Sequence, residues 1–189
     1  MNGETSGLDR AKTISDIIST WVGLAALLIG AGWAVFEYRT QRAEARIEKT
    51  IGFFERWSEP LLEGSYVLVC DVFDDPKVEA EWDRLETLHH DDPDALSADK
   101  PLGQFILSVV NKRRISEPIY RVNDFFDALV ACTDSNVCDY KFAKRLLCGV
   151  EVPFEQATRA LTIVKRKKDP SYARGVTQFA AACSSSDRT

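Results

Sequence analysis

The sequence predicts an all-α protein: an N-terminal transmembrane helix continuing into a stalk, then a helical-bundle cytoplasmic domain. Three observations carry this reading. Residues 17–36 hold no charged residue. Apolar residues in the remainder recur at spacings of three and four, the period of a helix face. The single β-branched run, YVLVCDVF at 66–73, also fits a helix, with Leu62, Tyr66, Val69 and Phe73 on one face. The average composition hides this division. With 45% hydrophobic and 28% charged residues and a net charge of −5, the 189-residue chain resembles a soluble globular protein as a whole. Wholesale disorder is excluded by the 28% charged and 10% aromatic content, and collagen-like and disulfide-dense small scaffolds by 10 Gly, 7 Pro and 5 Cys.

The uncharged run, IISTWVGLAALLIGAGWAVF, spans about 30 Å as a helix, the thickness of a bilayer's hydrocarbon core. Trp21, Trp33 and Tyr38 lie near its ends, where amphipathic rings favour the headgroup zone. A buried core helix and a cleaved signal peptide fit less well. Small soluble domains rarely contain so long an uncharged helix, and Glu37-Tyr38-Arg39 follows where a small-residue cleavage site would stand. Arg10 and Lys12 precede the span, whereas Arg39, Arg42, Arg46, Lys49 and Arg56 follow it. The positive-inside rule then places the N-terminus outside and the C-terminal domain in the cytoplasm, anchored to the inner membrane by a single pass. Ala26, Gly30 and Ala34 form a ridge of small residues suited to close helix pairing in lipid.

The expected divisions follow: a short extracytoplasmic N-terminus (1–16), the span (17–36), a basic stalk with juxtamembrane Arg39, Arg42, Arg46 and Lys49 (37–57), a helical soluble domain (58–183) and a disordered tail (184–189). The stalk becomes amphipathic near Ile47, with Ile51 and Phe54 at helical spacing and Phe53 and Trp57 on a second line. Ser58 and Pro60 break it, Ser58 serving as the next cap. Asp75-Pro76 reads as a cap and first-turn proline, opening a helix with Val78, Trp82, Leu85 and Leu88 inward. HHDDPDALSADKP (89–101) reads as a mobile acidic loop. PLGQFILSVVNKRRISEPIYRVNDFFDALVAC follows as one helix or two, interrupted near Ser116-Glu117-Pro118, with Ile119, Val122, Phe126 and Leu129 in a stripe. After a turn at 133–136, Asp139 opens a short helix ended by Gly149. Residues 153–168 form another helix, and Asp169-Pro170 starts the last one, with Tyr172, Val176 and Phe179.

Four segments resemble a group of small bacterial membrane proteins labelled domain of unknown function 4760. RIEKTIGFFERW (46–57) is similar to their Arg-x-x-x-Thr segment after the span, and NDFFD (123–127) to their Asn-x-Phe-Phe-acidic helix. VCDYKFAKRLLCG (137–149) resembles a segment that begins with Asp after a turn. RKKDPSYARGVTQF (166–179) resembles an ending in which an Arg precedes a Tyr-bearing last helix. The resemblance implies one N-terminal span and a cytoplasmic helical domain. It implies no activity.

Chemistry-bearing patterns are few. His89, His90, Asp91, Asp92 and Asp94 are metal-like in kind, but adjacent histidines on a loop do not converge unaided. Cys70, Cys132, Cys138, Cys148 and Cys183 form no Cys-x-x-Cys pair. Cys132 and Cys138 flank a turn and could meet; an extracytoplasmic domain would oxidise them. A cytoplasmic domain predicts free thiols buried as small hydrophobes. Nucleophile elbows, phosphate loops and dinucleotide fingerprints are missing from the sequence. Asn123, Asp124 and Asp127 suggest a buried polar contact with Arg121 or Arg166. Lys165, Arg166, Lys167 and Lys168 complement a helix end and could meet lipid headgroups or a partner.

The expected function is a membrane-anchored interaction or regulatory module, acting through a protein partner or self-association, without catalysis, cofactor or nucleic acid. An oligomerising effector that perturbs the bilayer and a metal-dependent enzyme using the His89–Asp94 loop are the alternatives.

Overall fold

A computed structural model describes residues 5–90, 92 and 94–184. The described residues form seven helices and no strand: α1 Thr5–Trp57, α2 Pro60–Phe73, α3 Pro76–His89, α4 Pro101–Arg113, α5 Ser116–Asp134, α6 Tyr140–Arg166 and α7 Arg174–Ser184. The chain divides into two compact units, Met1–Ala45 and Arg46–Thr189.

Among the described residues, α1 is the one helix long and apolar enough to cross a membrane, by length and composition, within Trp21–Trp57. Its apolar window is uncovered, with Trp21, Leu27, Leu28, Ile29 and Trp33 all about two-thirds exposed or more.

The second unit is built from the end of α1 and the six helices after it. α5 packs on α7 and α2, α6 on α7, α2 and α4, and α3 on α4. An aromatic cluster lies at the centre. The Trp57 ring stands 5.2 Å from Phe125, 5.7 Å from Phe126 and 5.5 Å from Tyr66. Ile119, Val122, Phe126 and Leu129 are buried, as their stripe predicts, and so are Phe154, Val176 and Phe179. Burial of this apolar surface supplies the main force holding the helices together.

The punctuation residues act largely as expected, with five corrections. Asp75 caps α3 by accepting from the Lys77 amide at 2.9 Å, and Pro76 follows it. Glu59, not Ser58, is the N-cap of α2; the Ser58 hydroxyl donates back to the Phe54 carbonyl instead. α4 and α5 are separate helices, divided where Arg114 takes a left-handed conformation (φ 55°).

Gly149 does not end a helix. α6 runs unbroken for 27 residues with Pro153 inside it, because buried Ala143 and Leu147 before the proline and Phe154, Leu161 and Val164 after it hold one continuous face. Leu88 is 63% exposed, because the inward line of α3 runs through Val78, Trp82 and Leu85 to half-buried His89, and Leu88 falls beside it. α7 starts at Arg174, later than Asp169-Pro170 suggested. Asp169 instead closes a turn by accepting from Ser171, and Ala173 is left-handed (φ 53°). Among its described residues, the segment 89–101 is irregular after His89, as expected, and Asp92 pairs with Lys100 and Asp94 with Lys167. The loop also packs so closely that a Cβ at Gly103 would lie 1.9 Å from the Ser97 carbonyl oxygen. Ser184 belongs to α7, and the rest of the expected tail, 185–189, lies outside the described residues.

Candidate functional site

α1 presents two faces to different surroundings once it enters the second unit. Thr50 and Trp57 are buried and Phe53 half-buried, whereas Ile47, Ile51 and Phe54 are 36%, 40% and 37% exposed. These three residues lie at i, i+4 and i+7 on one line and form an uncovered apolar stripe. In the first unit Ala26, Gly30 and Ala34 are likewise exposed, with open space around a Cβ placed on Gly30. Arg39, Arg42 and Lys49 are exposed too, the Arg42 guanidinium standing 6.0 Å from the Tyr38 ring centre.

Arg46 does not act as a free juxtamembrane charge. It is half-buried and donates to Asn136 Oδ1 at 2.5 Å. One turn on, the buried Thr50 hydroxyl accepts from the Asp139 amide at 2.9 Å and donates to the Arg46 carbonyl at 2.8 Å. The Arg-x-x-x-Thr pair therefore seats the turn between α5 and α6. Asp139 completes the joint by capping α6 through the Phe142 amide at 2.8 Å.

The other two segments that carry the resemblance meet in the same way. Asp127 Oδ1 accepts from the Gly175 amide at 2.5 Å, capping α7. α5 passes so near that a Cβ on Gly175 would lie 2.6 Å from the Asp127 backbone. Arg166 donates to the carbonyls of Tyr172 and Ala173 and to the Thr177 hydroxyl, at 2.9, 3.1 and 2.8 Å. The partner of Asp127 is thus a helix terminus rather than the expected Arg121 or Arg166, and Arg166 serves the turn before α7. Arg121 pairs with Glu117, and Asp124 is exposed. In the basic run, Lys167 is bound to Asp94 and Ser97, Lys165 is half-buried and Lys168 is exposed.

Cysteine placement departs from the expectation of free thiols. Cys132 and Cys138 are joined in a disulfide across the α5–α6 turn, and Cys148 and Cys183 join α6 to α7. Their Cα separations are 5.2 and 5.6 Å, so each pair sits within bonding reach without backbone movement. Cys70 remains a thiol, half-buried on α2, and burial pushes its pKa up, which disfavours the reactive thiolate.

One turn from Cys148 lies a group the sequence reading missed. Glu151 is 0% exposed, with no cation beside it among the described residues, and its carboxylate oxygens make no well-formed hydrogen bond, the Ala180 amide being the one donor near them. Burial and the nearby Glu155 push its pKa up to about 8, the Ala180 amide offsetting only part of this. It is a neutral acid near pH 7. A glutamate two residues before a proline, inside an apolar helix face, was the available signal.

A groove of about 880 Å³ opens between α2, α3 and α6, with Tyr66, Phe73, Trp82 and Ile163 among its walls and Asp74 and Glu79 at its edge. Among the described residues no group of three or more His, Cys, Asp or Glu side chains is arranged to hold a metal. In the His89–Asp94 loop, Asp92 and Asp94 are occupied by lysines, and Asp91 lies outside the described residues. Comparison with family models, curated proteins and solved structures yields no match to this chain.

Proposed function

We propose that the chain is a membrane-anchored helical interaction module without catalysis. α1 serves as span and stalk, and the helices from α2 to α7 form the bundle it carries. The observation that carries this reading is the uncovered stripe Ile47, Ile51 and Phe54, on a helix whose opposite face is packed. Apolar residues at helical spacing left open on one side fit a helix-on-helix contact. The occupant we assign is a second copy of the chain. Anchoring would hold two copies in the same plane and orientation, and the ridge Ala26, Gly30 and Ala34 is suited to close pairing of identical spans. The resemblance to domain of unknown function 4760 proteins is compatible with this plan and adds no reaction to it.

Chemical crosslinking of the full chain in native membranes tests the reading. A dimer-sized product is expected, lost in Ile51→Arg and weakened in Gly30→Leu. A strictly monomeric chain sinks it. A product whose mass is not a multiple of the chain's own identifies a different protein as the partner and overturns self-association. The ridge also supports a second reading, an oligomer that perturbs the bilayer; dye leakage from vesicles that Gly30→Leu abolishes would favour it.

A further inference from the structure

The structure assigns the helical domain to an oxidising, extracytoplasmic compartment, opposite to the side that the Lys and Arg count predicts. The inference rests on four of the five cysteines meeting in two separate pairs, while Cys70 alone stays apart. Thiols kept reduced in a cytoplasm have no reason to converge twice in one small domain, whereas exported domains use such pairs as structural staples. Both pairs occupy positions where a staple is useful. Cys132–Cys138 closes the turn that Arg46 and Thr50 seat, and Cys148–Cys183 fastens the last helix to α6. Cys138 and Cys183 are buried, 2% and 8% exposed, as permanent bonds would be.

The structure also weakens the opposing count. Arg46, Lys49 and Arg56 belong to the compact second unit, where Arg46 has a structural partner that accounts for its presence. Outside that unit, Arg10 and Lys12 precede the apolar run and only Arg39 and Arg42 follow it. Three of the five charges behind the five-to-two bias thus belong to the folded domain, and domains behind a span translocate largely regardless of their own charge.

Formation of each bond balances as a thiol–disulfide exchange. The two thiols together lose two protons and two electrons, and the sulfur–sulfur bond closes. A disulfide-bearing exchange protein of the compartment takes them up and becomes a dithiol.

The full chain, acid-quenched in its native cells, denatured and treated with a mass-tagging maleimide, tests the inference. One adduct is expected without reductant and five after it, with Cys70→Ser leaving none before reduction. In parallel, a phosphatase that folds only outside the cytoplasm, fused after Thr189, should be active. Three or five adducts without reductant overturn the inference, and so does an inactive phosphatase alongside a fluorescent cytoplasmic reporter at the same position. The inference outlives the anchored reading: a soluble exported chain with intact pairs and its leader removed would refute anchoring alone.

Discussion

Glu151 is where the sequence conflicts most sharply with its surroundings. A carboxyl with no exposed surface and no well-formed hydrogen bond favours its proton, and its pKa rises from 4.5 to about 8. The sign of the consequence follows from linkage. Below pH about 4.5 the acid is protonated both folded and unfolded, and it adds no pH dependence to the stability. Between about 4.5 and 8 the folded chain holds a proton that the unfolded chain has released. Stability therefore falls as pH rises, by up to about 1.4 kcal/mol per pH unit, and levels off above the folded pKa. Melting temperatures of the full chain in detergent, measured from pH 5 to 8, should show this decline, with Glu151→Gln flattening it. An equal slope in the variant would place the proton elsewhere.

At the scale of elements, most of the helices were legible because each rests on a local device. Asp75-Pro76 opens α3, Asp139 opens α6, and the 119–129 stripe marks the buried face of α5. The errors came where tertiary packing overrides a local signal. Gly149 looks like a stop, yet the buried face on both sides of it carries α6 through both Gly149 and Pro153. The site was less legible than the fold. Which side of α1 stays open depends on the helices that cover the other side, and spacing alone could not separate Ile51 from Phe53. The cysteine pairs were readable only as an option at Cys132 and Cys138. Cys148 and Cys183 lie 35 residues apart and meet through the α6–α7 packing. Gly149 supplies the test at this scale. A Cβ there meets nothing within 4 Å, and the residue is exposed inside the helix. Gly149→Ala should therefore stabilise the chain by about 1 kcal/mol, the helix-propensity difference. A helix stop would respond with the opposite sign.

For the molecule as a whole, the two disulfides divide the work of constraining the second unit unequally. A crosslink stabilises chiefly by restricting the unfolded chain, and the restriction grows with the loop it closes. Cys148–Cys183 spans 35 residues, against 6 for Cys132–Cys138. Chain-entropy arithmetic for those lengths gives about 4 and about 2 kcal/mol. The longer staple also fixes α7, which contributes Val176 and Phe179 to the core and whose start depends on the Asp127 cap. Denaturant unfolding of the oxidised full chain should therefore lose about twice as much stability in Cys148→Ala/Cys183→Ala as in Cys132→Ala/Cys138→Ala. Reductant should shift the wild type by roughly the sum and leave a variant lacking all four cysteines unmoved. If the shorter loop proves the costlier to open, its importance lies in the native joint it closes. Arg46, Thr50 and Asp139 would then be the residues whose contacts fail first.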